Sequence, residues 1–86
     1  MIDKELLALL RNPADHGPLS LADDELIEAV NRAIGEGRIR NRMGDLLESP
    51  IDGGLVSENR ELLYPILEGL PMMVVDEAIL LEQLVA

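Results

Sequence analysis

The side chains in this 86-residue chain that could do chemistry are gathered in two similar turns. Asn12-Pro13-Ala14-Asp15-His16-Gly17-Pro18-Leu19 and Ser49-Pro50-Ile51-Asp52-Gly53-Gly54-Leu55 both run polar, Pro, apolar, Asp, any residue, Gly and on to Leu, a degenerate internal repeat. Each offers two oxygen-bearing corners: Asn12 with Asp15, and Ser49 with Asp52. Such oxygens can hold a divalent cation, but closed structural zinc sites prefer thiolate and imidazole, and the chain has no cysteine. The local alternative is an Asx turn, in which the carboxylate accepts a backbone N–H a few atoms away. Asp15 and Asp52 are expected to hold their own turns in that way, with no metal.

The remaining candidates divide between bland and sharp uses. His16, the one histidine, adjoins Asp15, but neighbours in a turn point apart and no nucleophile accompanies them, so it reads as a solvated turn residue. Arg38, Arg40 and Arg42 alternate and would form one basic stripe on a strand. That stripe is either a solvent face balanced by nearby carboxylates or a clamp for an acidic partner surface. Tyr64, the lone aromatic, is too little for a base-stacking platform and is expected to fill core volume with its hydroxyl tethered to a polar group. No Ser/His/Asp set, Cys/His pair or convergent carboxylates stand out, so neither enzymatic activity nor a cofactor is expected.

The elements that must position these residues follow from periodicity. Leu62 to Leu67 and Leu70 to Val75 flank Glu68-Gly69, a β-hairpin pattern with Gly69 at the position that needs positive φ. Pro65 and Pro71 lack a ladder donor and are expected at an edge or a strand start. Alternation along Pro71, Met72, Met73, Val74 and Val75 would send apolar side chains outward on that edge, for a partner strand to meet or the chain's own C-terminal helix to cover. Asp3 and Leu6, Leu7, Leu9 and Leu10 predict a short first helix; Asp23 or Asp24 caps a second, with Leu26, Ile27, Val30, Ala33 and Ile34 on one face, stopped by Gly35 and Gly37. Leu19-Ser20-Leu21 and Leu55-Val56-Ser57 read as short strands, the second followed by a turn at Glu58-Asn59-Arg60, Arg38 to Glu48 as a hairpin turned at Met43-Gly44-Asp45, and Asp76 as the cap of a helix from about Glu77 to Leu84. The expected fold is therefore α+β: a small antiparallel sheet of two or three hairpins with N-terminal, middle and C-terminal helices packed on it.

Residues 1–86 fit a single domain with an almost wholly aliphatic core, which is small enough to favour a homodimer or an obligate partner. Acidic residues outnumber basic ones 17 to 7, for a net charge of −10, so the chain by itself would repel phosphate backbones and direct nucleic-acid binding is not expected. No apolar run is long enough to span a bilayer, and no secretion signal opens the chain, so membrane insertion is not expected and the location is expected to be cytoplasmic.

Three stretches resemble the small zinc-ribbon-like subunits that activate methyltransferases, the Trm-one-hundred-and-twelve-like family and its bacterial YcaR-type relatives. They are the leucine-rich opening, the first turn ending Gly17-Pro18-Leu19, and Leu63-Tyr64-Pro65-Ile66-Leu67-Glu68-Gly69-Leu70-Pro71, which is similar to the family's Tyr-Pro-Ile and Gly-Ile-Pro signature, with Asp76-Glu77-Ala78 after it. Residues 23–37 then read as a helical insertion of the kind longer members carry. The resemblance implies a cysteine-less variant whose vestigial ligand positions are Asn12, Asp15, Ser49 and Asp52. It also implies a non-catalytic subunit bound to a class I, S-adenosylmethionine-dependent methyltransferase acting on tRNA, rRNA or release factor, with Pro71 to Val75 at the contact. The alternative is a self-associating structural domain, a homodimer with no client.

Overall fold

The computed structural model describes residues 10–85, so the expected first helix, apart from Leu10, lies outside the described residues. Five strands form one antiparallel sheet: β1 (Leu19–Leu21), β2 (Gly53–Ser57), β3 (Leu62–Leu67), β4 (Leu70–Pro71) and β5 (Ile79–Leu80). Neighbours run β1-β2-β3-β4, while β5 joins the same side of β3 as β4, opposite Leu62 and Leu63. Between β1 and β2 comes the α-helix α1 (Asp24–Gly35), and short 3-10 turns at Val75–Glu77 and Leu81–Val85 flank β5. The fold class is the expected α+β, and among the described residues one α-helix stands where two were expected.

The period-two alternation of β3 sorts its side chains between two cores. Leu63 faces α1 with Val56, joining Val30, Ala33 and Ile34 of the helix together with Ile39, Ile51 and Ile79. Leu62, Tyr64 and Ile66 take the opposite face with Leu19, Leu55 and Ala78, where Leu10, Met73 and Leu80 pack against them. Gly54 makes the helix-side packing possible, since a Cβ there would lie 2.7 Å from the Leu63 side chain.

Helix α1 forms for the reasons its sequence suggests. Asp23, in extended backbone, accepts the Leu26 N–H at 2.8 Å, and acidic Asp24 and Glu25 with basic Arg32 suit the two ends of the dipole. The stop falls at Gly37 rather than Gly35: Gly37 (φ 73°) donates to the Ile34 carbonyl and Arg38 to that of Ala33, a Schellman pair that satisfies the last carbonyls.

Three expectations are corrected. First, Pro65 sits inside β3, the strand paired on both flanks, and not at an edge or start. Its carbonyl accepts the Met72 N–H at 2.9 Å, on the β4 side, where proline has no N–H to return. The β3–β4 ladder therefore ends at Pro71, and Met72–Val74 leaves the sheet where the sequence suggested strand. Second, the expected C-terminal helix is replaced by β5 between two 3-10 turns. Strand pairing of Ile79 with Leu63 and of Leu80 with Leu62 satisfies β3 backbone groups that a helix at this place would leave unpaired in the core. Third, Arg38 to Glu48 turns back as expected but makes only a bridge, Arg40 to Leu46, and not a ladder. It is tied to the C-terminal segment instead: Arg42 and Met43 donate to the carbonyls of Ala78 and Asp76, and the Gln83 amide both accepts from and donates to the Arg40 backbone.

At the β3–β4 hairpin both central residues, Glu68 (φ 52°) and Gly69 (φ 80°), are left-handed, as a two-residue type I′ turn requires. His16 (φ 62°) and Arg60 (φ 61°) adopt the same conformation at two other corners.

Candidate functional site

The first turn closes on itself. The Asn12 N–H donates to the Gly17 carbonyl at 2.9 Å and the His16 N–H to the Asn12 carbonyl at 2.7 Å, with Arg11 and Pro18 bridged behind them. Asp15 Oδ1 accepts the Gly17 N–H at 2.8 Å, the expected Asx turn, and His16 is exposed. Asn12 is buried, its Oδ1 accepting the Ala14 N–H at 3.0 Å and the hydroxyl of fully buried Tyr64. The tether expected for Tyr64 is thus Asn12. Burial raises the Tyr64 phenol above its ordinary value of 10, with a smaller raising contribution from the Asp15 charge, and these outweigh the lowering effects of the Ala14 backbone and Arg42.

The second turn is built differently. Ser49 and Pro50 are exposed, while Ile51 is clamped by the Asn31 side chain, whose Oδ1 accepts its N–H at 2.8 Å and whose Nδ2 donates to its carbonyl at 3.0 Å. Asp52 does not hold its own turn: its Oδ2 accepts the Glu68 N–H, so it braces the β3–β4 turn. The register sets Leu19 against Ser57 and Leu21 against Leu55, placing the turn before β1 and the turn before β2 at opposite ends of that strand pair. Asn12 and Asp15 are therefore not brought together with Ser49 and Asp52. Zinc does not fit these four corners: Asn12, Asp15 and Asp52 each spend an oxygen on protein donors, and among the described residues no three carboxylate or imidazole groups could share a metal ion.

The corner that does adjoin the first turn is the β2–β3 connection. Ser57 Oγ accepts from the N–H groups of Glu61 and Leu62 at 3.2 and 3.1 Å and donates to Asn59 Oδ1 at 2.6 Å, while the Arg60 N–H returns to the Ser57 carbonyl at 2.9 Å. Two hydroxyl- or amide-centred corners, each with a left-handed residue, thus face the same end of the sheet. The turn at Glu58-Asn59-Arg60 is where the sequence places it, and what no local pattern supplied is the Ser57 hydroxyl as its centre.

The other end of the sheet is apolar and open. Leu67 and Leu70 are cross-strand partners at the β3–β4 turn, 37% and 69% exposed, and Val74 beyond them is 53% exposed. Pro71, Met72, Met73 and Val75 are half-buried, Met73 against the core, so the C-terminal segment covers the stretch only in part. Of the arginine stripe, Arg38 pairs with Glu36 at 2.9 Å and Arg40 donates to the Gly44 carbonyl at 2.8 Å, both exposed.

Comparison with known proteins bears on these surfaces. Residues 3–69 match the family described as Trm112p-like protein. The solution NMR structure of XF2673 from Xylella fastidiosa superposes with a TM-score of 0.77 at 30% sequence identity, covering 96% of this chain and 86% of that one. No curated protein gives a significant match.

Proposed function

The chain belongs to the Trm112p-like family, a family of methyltransferase activators, and on that premise we propose that it is a non-catalytic subunit that binds and stabilises an S-adenosylmethionine-dependent methyltransferase. In this reading the client is a class I enzyme acting on tRNA, rRNA or release factor, and the two proteins meet in the cytoplasm. The contact is the rim of Leu67, Leu70 and Pro71 to Val75. The observation that carries this reading is the exposure of Leu67 and Leu70, cross-strand partners at the β3–β4 turn, with Val74 exposed four residues further along the same segment. No described helix is long and apolar enough to cross a membrane.

The docking is through side chains more than through an added strand. Pro71 presents no N–H along the outer edge of β4 and the strand is two residues long, so few main-chain bonds are on offer. Co-expression with the methyltransferases of its host followed by affinity capture tests the proposal: one of them co-purifies stoichiometrically, and Leu70→Asp with Val74→Asp abolishes it. A chain that captures no methyltransferase, or that forms a homodimer burying the rim at all dilutions in light scattering, overturns it.

A further inference from the structure

On the other flank of the β3–β4 turn lies a groove of about 360 Å³ with an apolar floor and an acidic rim. Its floor is Leu21, Ala22, Ile27 and Ile66, drawn from β1, the link to α1, the helix itself and β3. Three carboxylates from three separate elements stand around it: Asp24 at the start of α1, Asp52 before β2 and Glu68 in the hairpin turn. No basic side chain lines it, and among the described residues none of the three carboxylates belongs to an ion pair.

This juxtaposition selects its occupant. The apolar floor needs an apolar side chain to exclude water, and Leu21, 43% exposed on the outer edge of β1, is free to meet one. The rim would repel phosphate or a carboxylate-rich segment. The start of a helix carries about half a positive charge, which Asp23 and Asp24 together more than offset. A bare divalent ion is also a poor occupant, because no described trio of carboxylates converges on one point. Lys and Arg match instead, since their flexible stems reach separate carboxylates while covering apolar surface.

The geometry points to this groove as a docking site for a segment of the client that presents one apolar side chain flanked by Lys or Arg. The inference rests on the activator reading and adds to it a second contact, continuous with the Leu67 and Leu70 rim around the same turn.

Titration of the isotope-labelled full chain with a short capped peptide carrying one Leu between lysines, followed by NMR, tests it. Amide shifts are expected at Ala22, Asp24, Ile27, Gly53, Glu68 and Gly69. Affinity should fall about tenfold in the double variant Asp24→Asn, Glu68→Gln, as expected for loss of two rim charges at low salt. Asp52 is kept in that variant because its carboxylate braces the hairpin, and Leu21→Ser serves as the apolar counterpart on an exposed position. Shifts elsewhere, equal binding of the same peptide with glutamate for lysine, or concentration-dependent shifts at the groove without peptide each overturn the inference, the last in favour of a second copy of the chain. A client that co-purifies equally with wild type and the double variant sinks the groove and leaves the activator reading standing, whereas absence of any client sinks the latter.

Discussion

Tyr64 and Asn12 form a buried polar contact that joins the first turn to the sheet. Tyr64→Phe keeps the ring and deletes the donor, leaving the Asn12 oxygen with only the Ala14 N–H, and should cost about 1–2 kcal/mol in urea unfolding. The phenol also sets an alkaline limit. Its pKa is raised in the folded state, so its contribution is complete below the unfolded value near 10 and is lost as pH climbs through the higher folded value. Absorbance titration of the native protein should show ionisation later than for free tyrosine, and Tyr64→Phe should flatten the alkaline stability profile. That Tyr64 would be buried with a tethered hydroxyl could be read from its being the only aromatic in an aliphatic chain. Its partner could not, because the contact joins residues 52 positions apart and no local pattern encodes it.

Among the elements, α1 and the β3–β4 turn were the readable ones, since each is specified within a dozen residues: a cap, an apolar stripe and a stop in the helix, two apolar runs around Glu68-Gly69 in the hairpin. The ends of β4 and β5 were not, because they depend on which β3 backbone groups are already taken. Pro65 decides the first. Pro65→Val restores an N–H at that position, and the β3–β4 ladder should then extend to Met72, seen as slowed amide exchange at residue 65 and strand-type cross-peaks between 65 and 72. An unchanged exchange pattern would mean that something other than the missing donor ends the strand. β5 depends on the second condition, as its helix-like sequence yields to the unpaired edge at Leu62 and Leu63.

For the molecule as a unit, the similarity of the two Pro-containing turns was legible and their arrangement was not. Sequence likeness says nothing of register, and antiparallel pairing of β1 with β2 sends them to opposite ends. The corner Ser57 to Leu62 takes the place that likeness had given to Ser49 to Asp52. With its turns held by amide, carboxylate and hydroxyl groups, the protein should show the same melting temperature in chelator as in added zinc, a shift of several degrees on zinc addition being the contrary result. The net charge of −10 gives that experiment its control, since salt alone should raise the melting temperature through screening of self-repulsion.

The side chains at His16, Arg60 and Glu68 each hold a backbone twist that only glycine adopts without steric penalty. Exchange to glycine removes about 1–2 kcal/mol of crowding and adds back about 0.5–1 kcal/mol of chain freedom in the unfolded state, so each site should gain modestly in thermal denaturation. Three such corners in a very small domain make the scaffold a candidate for thermostabilisation that alters no packed residue. His16 and Arg60 are the places to begin, because Glu68 is also called on to supply charge.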